Sequence, residues 1–252
     1  MSSEETGIVW FKDCSYNNKH LVGGKCSSLG ELHYLAKMIN FEIADGYAVT
    51  TTLYDRFIEE NNLTNIIQTT LSEINVEDII ELEERSNNLK KLVTYGTMNE
   101  EDMKCIVKSY HDLCELYNTD FLEVAVRSSA VAEDLPNASF AGQQDTYLNI
   151  KGDQEIIDSV KSCFASLFNS RAISYRKTHN IQLEDVKISV AVQKMVRSDI
   201  GSAGVAFSID PETGYNKAIV INSAYGLGEL VVSGGVKPDE VILDKRVLRD
   251  ID

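Results

Sequence analysis

The sequence predicts an α+β fold, with helices and strands in largely separate stretches. Three observations predict it. Apolar residues recur at helical spacing as far as about residue 118. From Phe121 onward, alternating and β-branched apolar runs take over. The links among those runs are of hairpin length, which suits antiparallel pairing rather than a doubly wound parallel sheet. At 252 residues the chain lies between one large domain and two ordinary ones, so two packed lobes are the starting expectation.

Taken in order, His20-Leu21-Val22 leads to Gly23-Gly24-Lys25, then Ser27 and Ser28, then an apolar-periodic run of Leu29, Leu32, Leu35, Ala36 and Ile39. Ser27 or Ser28 is expected to cap that helix, and Glu31 stands three residues after Ser28, as a capping box needs. Asp45-Gly46 makes a turn, Tyr47-Ala48-Val49 a short strand, and Thr50 to Thr52 cap a helix carrying Leu53, Phe57 and Ile58. Residues 63–118 read as helical throughout, with Ile66, Ile67, Leu71, Ile74, Ile79, Ile80 and Leu82 on apolar faces. The acidic stretches Asn75 to Glu84 and Asn99 to Asp102 read as solvated faces of those helices.

Leu122 to Val126 is a short strand that stops at Arg127-Ser128-Ser129. A polar loop, Glu133 to Asp145, leads to a strand at Thr146 to Ile150. Ile156, Ile157, Val160, Phe164, Leu167 and Phe168 share one face of a helix that runs on through Arg171 to Arg176. Val186, Ile188, Val190 and Val192 alternate as a strand, and Gly204 to Ile209 and Ala218 to Asn222 are further strands. The cluster Gly226, Gly228, Gly234 and Gly235 implies a tight connection. This divides the chain into a mainly helical part at 1–120, a central α/β subdomain at 121–200, and strands at 201–252 that return to the first lobe and end incompletely.

A net charge of −15 excludes a generally basic surface, and with it nucleic acid as a partner. Five cysteines, Cys14, Cys26, Cys105, Cys114 and Cys163, include no CxxC pair, which excludes a zinc knuckle and argues against a disulfide framework. The first residues lack the basic-then-apolar pattern of a signal peptide, and no apolar run approaches the ~20 residues of a membrane helix, so the cytoplasm is the default compartment. The four histidines form no pair at metal spacing and read as surface or packing residues.

In so acidic a chain, individual cations near glycines carry weight. Gly23-Gly24-Lys25 precedes a helix start, where backbone amides and partial positive charge can meet an anion. It matches neither GxxxxGK[ST] nor GxGxxG, and in isolation a turn with an exposed lysine fits as well. Arg127, at the end of a predicted strand, can fork onto phosphate oxygens, or equally pair with Glu133 or Asp134. The 138–146 loop, with Ser139, Gly142 and Thr146, reads as a flap over phosphates or as a plain hairpin loop. Gln193 and Met195 end the best strand, where backbone groups can meet a base edge and a methionine its face, although core packing is the commoner use. Glu229, after Gly226-Leu227-Gly228, is a candidate Mg²⁺ ligand or simply a helix cap.

Five ordered blocks resemble one family. They are Val22-Gly-Gly-Lys-Cys-Ser-Ser-Leu-Gly-Glu-Leu32, Asp45 to Thr51, Val124 to Ile150 around Arg-Ser-Ser-Ala, Ser202 to Gly214, and Tyr225 to Glu240. The family is the phosphoenolpyruvate synthase, pyruvate phosphate dikinase and rifampin phosphotransferase group. The resemblance implies a two-lobed ATP-grasp-like nucleotide-binding region that uses ATP and Mg²⁺. It implies that Lys25 and Arg127 act on ATP phosphates at the Gly23-Gly24 turn. The flap with Ser139, Gly142 and Thr146 would close over them, Gln193 and Met195 would lie by the adenine, and Glu229 near the metal.

In that family a histidine on a swivelling domain takes the β-phosphoryl and carries it to pyruvate. Here the acidic metal-binding segment, the Gln-x-Arg-Pro segment, the histidine domain and the pyruvate barrel are all absent, so a partner chain or a missing C-terminal region is implied. Cys26, Ser27 and Val131 depart modestly from the family pattern. The reading is therefore the ATP-binding portion of a phosphoenolpyruvate synthase-like phosphotransferase. A non-catalytic nucleotide-binding or regulatory relative, and a rifampin phosphotransferase-like fragment, stand as alternatives.

Overall fold

The structure, a computed structural model, describes residues 7–131, 134–135, 138–139, 145–179, 181 and 187–248. Two compact units divide the chain, 1–195 and 196–252. The first is built on a five-stranded sheet in the order β1-β2-β7-β3-β6: β1 (Ile8–Trp10), β2 (Gly46–Val49), β7 (Ile188–Lys194), β3 (Val124–Ala130) and β6 (Thr146–Ile150). Every adjacent pair is antiparallel, which makes the fold α+β. A two-residue hairpin, β4 (Asp134–Leu135) with β5 (Ala138–Ser139), lies between β3 and β6 in sequence. The second unit holds a three-stranded antiparallel sheet: β8 (Ser202–Phe207), β9 (Ala218–Tyr225) and β10 (Asp239–Asp244) in the order β10-β9-β8.

The helices of the first unit are α1 (Lys19–Ile39), α2 (Thr51–Glu60), α3 (Thr64–Glu73), α4 (Ile79–Thr94), α5 (Glu100–Leu116), α6 (Asp153–Ala165) and α7 (Ser170–Thr178). The second unit adds two four-residue helices, α8 (Glu229–Val232) and α9 (Lys245–Leu248). One face of the large sheet, with Tyr47, Val49, Val124, Val126, Ile188, Val190 and Val192, meets Phe57, Ile106, Leu113, Phe164 and Phe168 in the main core. Burying each such side chain stabilises the fold by roughly 1.5–3 kcal/mol. Its polar tips are satisfied: the Tyr47 hydroxyl donates to the Ile106 carbonyl at 3.1 Å, and Tyr110 donates to Leu122 at 3.0 Å.

The opposite face is shorter of cover. There Val22 and Cys26 of α1 pack with Val9, Phe11, Cys14, Ala48 and Ala191 in a smaller core. Of the predicted apolar row on α1, Ala36 is buried, whereas Leu32, Leu35 and Ile39 are exposed.

Local expectations are corrected where capping or long-range pairing decides. The stretch at 63–118, expected to be helical throughout, forms three helices separated by short non-helical links. Asp78 caps α4 by accepting from the Ile80 and Glu81 amides, and Asn99 caps α5 by accepting from Asp102. Ile79 and Ile80, expected on an apolar face, sit in the first turn of α4 and are exposed. Asp102 is no solvated surface group: its side chain is 4% exposed and ion-paired to Arg56, with Asn99 Nδ2 donating to it at 3.0 Å. The helix expected to continue to Arg176 breaks after Ala165, passes through a 3-10 turn at Ser166–Phe168, and restarts as α7.

Strand β3 does not stop at Arg127. Ser128, Ser129 and Ala130 continue it by pairing with Val190, Ser189 and Ile188 of β7. Strands β1 and β10 were not foreseen.

Candidate functional site

The Gly23-Gly24-Lys25 segment is a break inside α1. Gly23 has φ 74 and ψ 176, so Lys19–Val22 forms one short helical segment and a second begins at Gly24. That start overturns the expected Ser27 or Ser28 cap. The Ser27 hydroxyl instead donates to the Gly24 carbonyl within the helix at 2.9 Å, and Glu31 accepts from the Tyr16 amide at 3.2 Å. The capping group comes from strand β3. Ser129 Oγ accepts from the Cys26 amide at 3.2 Å and donates to the Val22 carbonyl at 2.9 Å. One fully buried hydroxyl therefore satisfies both sides of the break.

This closure ties the helix segment that bears Lys25 to the strand that bears Arg127, two residues before Ser129. Side chains alternate along β3, and directly paired residues share a face, so Ser129/Ser189, Arg127/Ala191 and Ala125/Gln193 form successive rows. Each row is about 7 Å from the next. Arg127 is exposed while Ala125 and Ser129 are buried on either side of it. Of the carboxylates that could hold it structurally, Glu133 lies outside the described residues and Asp134 is described only in its backbone.

Burial pushes the Cys26 thiol up to about 11, against the hydroxyls of Ser129 and Ser189 and then the charges of Lys25 and Arg127. Cys163, fully buried on α6, is also pushed up by burial, then by Asp145, while Lys25 pulls the other way. Asp145 stands just before β6; its carbonyl accepts from the Ser128 amide at 3.4 Å, and its carboxylate accepts from Asn169 Nδ2 at 3.3 Å. Thr146, the next residue, is exposed and pairs directly with Arg127.

The other candidates are distributed as follows. Gln193 sits one row beyond Ala191, and its Nε2 donates to the Ala44 carbonyl at 3.1 Å. The Met195 amide donates to the Glu123 carbonyl at 3.0 Å, and its Sδ accepts from the Asn149 amide at 3.0 Å. Asn149 has φ 59 where the β3/β6 register shifts by one residue, so Met195 packs at a bulge. Ser139 pairs with Asp134 in the small hairpin, and Gly142 lies outside the described residues. Glu229 is exposed at the first position of α8, in the second unit.

Sequence reading missed Asp145 and the bridging role of Ser129. Both lie in the most specific motif block, whose spacing was the available signal. No helix among the described residues is long and apolar enough to cross a membrane.

A family model described as pyruvate phosphate dikinase, AMP/ATP-binding domain, matches residues 19–251. A phosphoenolpyruvate synthase of Aquifex aeolicus is 44% identical over 241 residues, which cover 96% of this chain and 28% of that protein. One from Helicobacter pylori is 47% identical over 242 residues, covering 96% and 30% respectively. The Escherichia coli phosphoenolpyruvate synthase is 38% identical over 242 residues, again 96% and 30%. The chain thus spans about three tenths of the length of these relatives.

Proposed function

Because the chain belongs to the pyruvate phosphate dikinase AMP/ATP-binding domain family, we propose that it binds ATP as the nucleotide-binding portion of a phosphoenolpyruvate synthase-like phosphotransferase. The observation that carries the reading is a single hydroxyl that joins two segments: Ser129, on the strand of Arg127, closes the helix start that bears Lys25. The residues present fit a polyphosphate. A glycine-led helix start supplies amides and partial positive charge, Lys25 a mobile full charge, and Arg127 a planar fork for phosphate oxygens. Gln193, one row further along the same face, and Met195 are the residues we assign to the adenine end. Thr146, paired with Arg127, is the hydroxyl donor we assign to the phosphates, and Ser139 and Gly142 are residues we assign to the same phosphates from their motif.

Among the described residues no group of three or more His, Cys, Asp or Glu is arranged to hold a metal by itself. Mg²⁺ carried on phosphate oxygens needs only one or two carboxylates, and Glu229 is the one we assign. Bound Mg²⁺–ATP supplies the transferable phosphoryl group and part of its charge neutralisation. The chain's own contribution is to position the phosphates and stabilise negative charge on them. The finer reading is an ATP-grasp arrangement in the cytoplasm. Transfer to a phosphohistidine and then to pyruvate rests with a region or partner outside these residues.

Calorimetry with Mg²⁺–ATP tests this reading. Lys25→Ala and Arg127→Ala each remove a charge-assisted contact worth about 1.5–3 kcal/mol, a loss of roughly 10-fold to 100-fold in affinity. Wild-type binding that survives both substitutions unchanged would overturn the assignment, as would absence of ATP binding by the wild type.

A further inference from the structure

We infer that Ser129 is a positioning residue for Lys25, holding the lysine turn in register with the strand that carries Arg127. The inference rests on the reading of Lys25 as a phosphate-binding residue and adds how its position is set. Three observations converge. First, Ser129 Oγ bonds both ends of the break, donating to the Val22 carbonyl at 2.9 Å and accepting from the Cys26 amide at 3.2 Å. Second, the backbone of Ser129 is fixed by its pairing with Ser189 on β7, so the hydroxyl presents a fixed point to the helix. Third, the approach is too close for any side chain at the break: a Cβ on Gly23 would lie 1.9 Å from the Ser129 carbonyl oxygen. The Lys25 backbone sits between the two bonded residues, so its direction follows from that pair of bonds. No contact of Ser129 with nucleotide is required.

A residue acting through Lys25 has a signature that general packing lacks. Its removal should matter for ATP only while the lysine is present. Mg²⁺–ATP affinity is measured for wild type, Ser129→Ala, Lys25→Ala and the double variant, and Ser129→Cys, slightly larger and weaker at both hydrogen bonds, should lose affinity in the same direction as Ser129→Ala. Loss of one buried hydroxyl that serves two partners should weaken ATP binding about 10-fold in the single variant. In the Lys25→Ala background the same change should alter affinity by less than about 2-fold. A full, additive loss in that background overturns the inference.

Amide hydrogen exchange provides a readout that needs no nucleotide. Exchange at Cys26 should accelerate roughly 10-fold in Ser129→Ala, while the paired amides of β3 and β7 keep their protection. Unchanged protection at Cys26 overturns the positioning role even if the wild type binds no ATP, and that latter result refutes the nucleotide reading separately.

Discussion

Gly23→Ala isolates the cost of forcing a side chain into the break. The Gly23 backbone, at φ 74 and ψ 176, lies in a region essentially reserved for glycine. Holding alanine there costs about 1–3 kcal/mol. The added methyl would also lie 1.9 Å from the Ser129 carbonyl oxygen and 2.5 Å from its hydroxyl. Strand β3 cannot yield easily, because Ser128, Ser129 and Ala130 are all paired with β7. Overpacking of this kind adds about 1–3 kcal/mol. The total, roughly 2–6 kcal/mol, is a large part of the ~5–15 kcal/mol that a typical domain has.

Gly152→Ala supplies the control. That residue has φ 83 and ψ 158, close to Gly23, yet nothing lies within 4 Å of its would-be Cβ. It should suffer the backbone cost alone, about 1–3 kcal/mol. Urea denaturation, read as the change in midpoint at constant slope, should therefore show Gly23→Ala losing about twice as much as Gly152→Ala. Equal losses would refute the steric argument. A Gly23→Ala midpoint equivalent to wild type within ~0.5 kcal/mol would refute both parts.

Two further predictions concern stability. Arg56→Ala should cost more than Asp102→Asn, because Asp102 is 4% exposed and would be left charged and buried, whereas Arg56 is 32% exposed and can turn to water. Urea unfolding should give about 3 kcal/mol for the arginine change and about 1–2 for the aspartate one, and the reverse order would contradict the burial argument. Above pH 9 the protein should lose stability, since the Cys26 thiol, raised from 9.0 to about 11 mainly by burial, keeps its proton in the folded state after the unfolded chain has lost it. The stabilisation is complete below pH 9 and lost as pH rises through about 11, on the order of 3 kcal/mol for this thiol. Cys26→Ala should flatten that part of a urea-midpoint profile taken between pH 7 and 11, and an unaltered slope would refute the assignment.

What could be read from the residues follows the range of the forces involved. The alternation at Ile188, Val190 and Val192 is a local signal, and β7 forms there. The same holds for Thr146–Ile150 and for the α+β class itself. Helix ends at Asp78 and Asn99 were equally local, since a capping carboxylate or amide lies two or three residues from the amides it serves. Reading apolar spacing alone across 63–118 hid them. Asp102 is different in kind. Nothing within the acidic run Asn99 to Asp102 reveals that its last member is buried, because the partner that makes burial tolerable, Arg56, is 46 residues away.

The break in α1 carries that argument furthest. A local search for a cap looks near Lys25 and finds Ser27, whose hydroxyl in fact bonds back into its own helix. The effective cap is 103 residues distant, on β3. Gly-Gly-Lys and Arg-Ser-Ser, each ambiguous by itself, are therefore two halves of one structural unit. The glycine is required because the strand backbone passes where a Cβ would be, and the serine suits the break because its one hydroxyl, donor and acceptor at once, satisfies a carbonyl and an amide together. Because a Cβ at residue 23 would meet the backbone carbonyl of Ser129, no replacement of the Ser129 side chain makes full room for a residue larger than glycine at the break.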